Sequence, residues 1–141
     1  MNTFRFSPLT NRTEEIVEHL LQQPELTQSS KDVFAFHLVL EELVSNIVQY
    51  AYSDPDHGDL IVELSRADGL VTIVLRDHGA PFNPLRQEPP DLSLPIEQRP
   101  IGGLGIHLVK SMMDGVDYRF EEGCNILTVF KRVEAAGSPD A

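Results

Sequence analysis

Cysteine is nearly absent from this sequence: Cys124 stands alone, so no intrachain disulfide can brace the fold, and in its setting it reads as a small packing residue. Positive charge is also scarce. Eleven Lys and Arg face 22 Asp and Glu, for a formal net charge of −11. Direct nucleic-acid binding needs a basic footprint to displace counterions from phosphates, so that class of partner is excluded. No run of 18 apolar residues is present, which excludes a membrane-spanning helix. The opening "MNTFRFSPLT" lacks the apolar stretch of a secretory signal, and a cytoplasmic protein is expected. His37 and Glu41 lie one helical turn apart but lack a third ligand, His19, His57, His78 and His107 show no ligand spacing, and no Ser/His/Asp order stands out. What remains is a chain of 141 residues, 41% hydrophobic, the size and composition of one globular domain.

The stretch "FHLVLEELVSNIVQYAY", residues 36–52, has helical periodicity. At about 100° per residue, Phe36, Val39, Leu40, Leu43, Ile47 and Tyr50 share one apolar arc and should face a core. Glu42 and Asn46, four residues apart, fall together at one edge of that arc. Glu41 points to the far side, into water. A carboxylate and a carboxamide thus converge beside apolar surface, where one ligand could meet both, although two solvated polar residues at the margin of an amphipathic helix would give the same pattern.

Around this helix the chain alternates strand and helix signals. "NTFRFS" reads as a short strand. Thr10 or Asn11 caps a helix that runs to about Gln23, with Glu14 and Glu15 in its first turn and Pro24 at its end. The long helix begins near Ser30 and reaches about Tyr52. "LIVELSR" and "LVTIVLRD" form a hairpin across "ADG". Between residues 80 and 99 lie Pro81, Pro84, Pro89, Pro90 and Pro95, which forbid a helix or a central strand. A loop of that length inside a compact domain is functional or disordered. "GGLGIHLVKSMMD" is a glycine turn opening a helix, "VDYRFEE" and "NILTVFKRV" close the sheet, and residues 134–141 read as a disordered tail. The expected fold is a two-layer α/β sandwich: a mixed, mostly antiparallel sheet with about three helices on one face, in a single domain over residues 1–133.

Two further stretches carry chemistry. In "LRDHGAPF", Asp77 arrives at the end of an apolar strand, and Gly79 permits a tight turn or close approach to a ligand. A carboxylate at the rim of an apolar pocket suits an amino group on a planar ring, although Asp and Gly also favour ordinary turns. In "GGLGIHLV", glycines precede a helix, where main-chain N–H groups can face an anion. No Gly-Lys-Ser/Thr ends the pattern, so it is not a Walker loop.

Taken in order, Glu-x-x-x-Asn on a helix, Asp-x-Gly-x-Pro-Phe after a strand and Gly-x-Gly before a helix resemble the histidine-kinase-like ATPase (Bergerat) superfamily. Within it, "DHGAPFNP" and "GCNILTVFKR" look like the anti-sigma factor serine/threonine kinases, and the resemblance covers residues 5–133. It implies ATP and Mg²⁺ as cofactors. By position, Glu42 matches the general base, Asn46 the Mg²⁺ ligand and Asp77 the partner of the adenine amino group. Gly79 falls in the adenine-side turn, Gly103 and Gly105 on the phosphate side, and Thr128 where relatives often make a polar contact near adenine. Residues 83–101 match a lid over the nucleotide. Tyr50 departs from the pattern, since relatives often carry histidine there.

Glutamate at position 42 favours a hydroxyl acceptor: serine, threonine or water. The resemblance therefore implies a protein serine kinase that phosphorylates a STAS-domain antagonist, sequesters a sigma factor or other regulator, and is compatible with a homodimer. Two other readings stay open: a nucleotide-dependent binding module without kinase activity, and an ATPase subunit of a larger machine.

Overall fold

In the computed structural model, residues 1–28, 30–86 and 103–133 are described. Five strands build one sheet in the order β1-β2-β3-β5-β4. They are β1 (Asn2–Phe6), β2 (Leu60–Ala67), β3 (Leu70–Asp77), β4 (Gly115–Glu121) and β5 (Cys124–Arg132). All four ladders are antiparallel. The alternation anticipated for β2 and β3 is present: Leu60, Val62, Leu64, Val71, Ile73 and Leu75 are buried while the residues between them are half-exposed. Period two sends alternate side chains to opposite faces, so one face of the sheet is apolar and must be covered.

Helices α1 (Thr13–Leu21), α3 (Val33–Asn46) and α4 (Gly103–Met112) cover it, with a one-turn helix α2 (Pro24–Thr27) between the first two. Their buried residues, among them Ile16, Leu20, Phe36, Leu40, Ile106 and Val109, join the inward residues of the sheet in one core. The two-layer sandwich is therefore as expected from the hydrophobic pattern. Helix α4 carries the chain from the Asp77 end of the sheet to the opposite end, where Asp114 N donates to Phe130 O at 2.9 Å.

Local details depart from the sequence reading in three places. Neither Thr10 nor Asn11 caps α1. Asn11 adopts a left-handed conformation (φ 58°), the Thr10 hydroxyl donates to Asp56, and Arg12 occupies the cap position without a side-chain cap bond. Pro24 ends α1 but also starts α2, because its fixed φ suits the first helical turn.

The long helix changes type at its end. The α-helical pattern stops at Asn46, and residues Ile47–Ala51 form a π-helical turn. A wider turn advances less per residue, so Tyr50, expected on the core stripe, is rotated outward and is 57% exposed. Phe36, Val39, Leu40 and Leu43 remain buried as the stripe requires.

Of the proline-rich stretch expected as a lid, residues 83–86 are described: Asn83 Oδ1 accepts from Leu85 N at 2.9 Å at the start of a 3-10 turn, Pro84–Arg86. The rest of that stretch and the expected tail at residues 134–141 lie outside the described residues. Among the described residues no helix is long and apolar enough to cross a membrane.

Candidate active site

A cavity of about 270 Å³ opens between the sheet and the ends of α3 and α4. That is near the lower end of the range for small-molecule sites, roughly 300–1,000 Å³. Leu75 and Leu127 line it from the sheet, Leu43, Ile47 and Ile106 from the helices. Asp77 and Asn46 supply polar groups to this apolar wall, so two of the expected residues meet in one cavity.

Asp77 ends β3, where the ladders to Leu60 and Asn125 also end. The residue is 5% exposed. Oδ1 accepts from Gly79 N at 2.9 Å and from Asn125 Nδ2 at 3.0 Å. Both bonds land on one oxygen, and Oδ2 has no hydrogen-bond partner among the described residues. Burial pushes the Asp77 carboxyl above the usual carboxylate range, and the bonds from Asn125 and Gly79 only partly offset it. A buried carboxylate with one oxygen uncommitted is built to accept from a ligand.

Gly79 is required here by close approach. A Cβ at this position would collide with the main-chain oxygen of Ala51, and that same oxygen accepts from Ala80 N at 3.3 Å. The end of the long helix and the turn after β3 thus pack backbone to backbone.

At the other end, Asn46 Nδ2 donates to Glu42 Oε1 at 3.1 Å. A carboxylate only accepts, so the amide must present its NH₂ to Glu42, and its Oδ1 is turned elsewhere. One contact therefore orients both groups predicted from the four-residue spacing. Among the described residues no cluster of three or more His, Cys, Asp or Glu could hold a metal. The single amide oxygen of Asn46 nevertheless fits Mg²⁺, a cation that is commonly bound by few protein ligands together with waters and phosphate oxygens.

Gly103 opens α4 and Gly105 lies in its first turn. A Cβ on Gly105 would overlap the Glu42 carboxylate, so glycine here makes room for that side chain. His37 and Glu41 pair at 3.6 Å on the exposed side of α3, away from the cavity.

Thr128 does not line the cavity. It pairs with Val74 and Asp117, on the face of β5 opposite to Leu127 and Val129. The polar residue that β5 brings to the site is Asn125, which is 6% exposed. Its Nδ2 also donates to Ala80 O at 2.9 Å, while its Oδ1 accepts from Phe82 N at 3.0 Å and from the Tyr118 hydroxyl. Asn125 thereby ties Asp77, the following turn and β4 together. A carboxamide at an inward position of an otherwise apolar strand was the signal for it in "CNILTVF", because period two puts residue 125 on the same face as 127 and 129.

The comparisons with known proteins agree with the family that these motifs resemble. A family model described as a histidine kinase-like ATPase domain matches residues 9–131. The serine-protein kinase RsbW of Bacillus cereus (strain AH820) is 31% identical, over 77% of this chain and 72% of that protein. The serine-protein kinase RsbW of Bacillus thuringiensis (strain Al Hakam) is 30% identical with the same coverage. Among solved structures, the RsbU and RsbW domains of Rv1364c from Mycobacterium tuberculosis match with a TM-score of 0.63 at 16% identity. That match spans 96% of this chain and only 34% of the solved one, and it speaks for the fold alone. The chain belongs to the histidine kinase-like ATPase family, on the branch of the RsbW serine-protein kinases.

Proposed function

We propose that this protein is a cytoplasmic, ATP-dependent protein serine kinase of the anti-sigma type. It phosphorylates a serine on a STAS-domain antagonist and sequesters a sigma factor or a similar regulator. The observation that carries this reading is the meeting of two polar groups on one apolar cavity: Asp77, whose Oδ2 has no partner among the described residues, and Asn46, which is oriented by Glu42 just behind the cavity lining. The names of the RsbW relatives support the choice of a protein serine as acceptor.

Each residue has a distinct task. Asp77 Oδ2 accepts a hydrogen bond from the adenine amino group, and the apolar walls take the faces of the ring. Asn46 Oδ1, together with the nucleotide phosphates, would hold Mg²⁺, and the cation would supply neutralisation of phosphate charge. Gly103 and Gly105 let the start of α4 approach the phosphate side. Glu42 takes the proton of the serine hydroxyl as the serine oxygen bonds to the γ-phosphorus. The bond from that phosphorus to the β,γ-bridging oxygen breaks, and ADP departs with the electron pair. Positioning and charge neutralisation dominate such transfers.

Mixing the protein with ATP labelled on the γ-phosphate and candidate STAS-domain proteins tests the reading. Label on a serine of the partner is the expected result. Free phosphate alone means an ATPase, and label in neither means a binding module, so either outcome overturns the kinase.

Asp77→Asn separates recognition from stability. The amide keeps an oxygen for Gly79 N and Asn125 Nδ2, but it offers the adenine amino group a weaker neutral acceptor or a clashing NH₂. ATP affinity drops by about tenfold or more. The sign for stability is opposite. A carboxyl whose folded pKa is raised favours folding when protonated and loses that contribution as pH rises through the folded value. At neutral pH the ionised Asp77 is thus unfavourable, and the neutral amide leaves the nucleotide-free melting temperature unchanged or raises it. Calorimetry and a melting curve check both; unaltered ATP affinity would sink the assignment of Asp77.

A further inference from the structure

Once the chain leaves the sheet at Asp77, its main-chain N–H groups need new partners. Each of the next three has one. Gly79 N uses the Asp77 carboxylate, Ala80 N uses Ala51 O, and His78 N donates to the Tyr52 hydroxyl at 2.8 Å. Two of the three anchors therefore come from Ala51 and Tyr52, the residues at and just beyond the end of the π turn that follows Asn46.

Tyr52 is itself fixed. Its hydroxyl lies 2.6 Å from Asp59 O and 3.0 Å from Asp59 Oδ1, and a hydroxyl has one proton for either. A Cβ on Gly58 would run into its ring, so the ring sits in a slot shaped by that glycine. Burial pushes the Tyr52 hydroxyl up to about 12, and it stays protonated, able to donate to Asp59 while accepting from His78. Asp59 is also within 2.9 Å of His78 Nδ1 and 3.5 Å of Arg5 Nη2. Burial alone would raise the Asp59 carboxyl, but the bonds from His78 and Tyr52 outweigh it and hold the group below its ordinary range as a carboxylate. Tyr52 does not line the cavity.

We infer that Tyr52 is a positioning residue for base recognition: its hydroxyl clamps the Asp77–Gly79 turn to the end of the long helix and so sets how sharply the site distinguishes an amino-bearing purine from an oxo-bearing one. The inference rests on the reading that Asp77 accepts from the adenine amino group. It assigns no contact between Tyr52 and the nucleotide. With the hydroxyl gone, His78 N loses its partner, and the short turn that aims Asp77 is held from the helix side by the single long bond from Ala80 N to Ala51 O. The apolar walls, which bind either base, are untouched.

The test is the ratio of ATP to ITP affinity, measured by displacing one fluorescent nucleotide from wild type, Tyr52→Phe and His78→Ala. ITP carries an oxo group where ATP carries the amino group. Partial unfolding reduces both apparent affinities by the same factor, so the ratio does not move when a variant is merely less stable. Wild type should prefer ATP by about tenfold or more. In Tyr52→Phe the preference should shrink by about fivefold, mainly through weaker ATP binding. His78→Ala keeps the main-chain N–H that meets Tyr52 and should hold the ratio within about twofold of wild type. A wild-type preference retained in Tyr52→Phe overturns the inference alone. So does a His78→Ala ratio that collapses as far as the one in Tyr52→Phe, because the anchor would then be the histidine side chain. No preference in wild type overturns the reading of Asp77, and this inference with it.

Discussion

If Glu42 is the proposed base, Glu42→Gln is expected to lower phosphate transfer to the proposed antagonist by about 10²–10⁴-fold while leaving ATP affinity nearly unchanged. The reason lies in which atoms the substitution keeps. Asn46 Nδ2 donates to Glu42 Oε1 at 3.1 Å, and glutamine retains a carbonyl oxygen for that bond. Asn46 then keeps its orientation, its Oδ1 stays available for the proposed Mg²⁺, and nucleotide binding should survive. The lost property is the capacity to take a proton from the acceptor hydroxyl. Asn46→Ala is expected to fail differently: under the proposed role it removes the Mg²⁺ ligand, so Mg²⁺-dependent ATP binding should weaken directly. Measuring ATP affinity and single-turnover transfer for both variants separates the two roles. A Glu42→Gln protein that transfers phosphate at the wild-type rate would show that Glu42 is not the base.

Gly105→Ala is expected to cost about 10²-fold in transfer rate with no loss of stability. The added methyl overlaps the Glu42 carboxylate. That carboxylate is the far end of a flexible side chain, so Glu42 swings aside and the helices stay where they are. Its bond to Asn46 breaks, and the base moves from the acceptor; a displacement of about 1 Å at a reacting group can cost such a factor. Alanine is favoured over glycine inside a helix by about 1 kcal/mol, which keeps the melting temperature level or raises it. A double-mutant cycle isolates the cause. If Gly105 matters by making room for Glu42, Gly105→Ala has no further effect on a Glu42→Ala protein. A full additional loss in that background would place the role of Gly105 on the phosphate side alone.

Much of this fold is legible in the chain itself. Period-two burial in "LIVELSR" and "LVTIVLRD" and the apolar arc of Phe36, Val39, Leu40 and Leu43 identify the strands, the long helix and the faces they bury, because burial depends on local periodicity that the chain itself displays. The four-residue spacing of Glu42 and Asn46 sets their contact for the same reason: the helix converts sequence separation into adjacency. Thr128 and Asn125 mark where that legibility weakens. Both are polar residues of β5; alternation puts Asn125 on the inward face and Thr128 on the other, but only the strand register shows that Asn125 lies opposite Asp77.

The tertiary structure alone decided the rest. The π turn at Ile47–Ala51 turns Tyr50 out to the cavity and brings Ala51 and Tyr52 against the Asp77 turn. Gly105 meets Glu42 although 63 positions separate them (105 − 42), and Asn125 meets Asp77 across 48. No local periodicity encodes such meetings. They depend on how helices seat on a shared apolar face, where close packing selects one arrangement among many that satisfy the same pattern. The sequence by itself thus determined the elements, their buried faces and the order of the motifs. Packing determined which oxygen of Asp77 has no partner among the described residues, what orients Glu42, and which residues anchor the Asp77 turn to the end of the long helix.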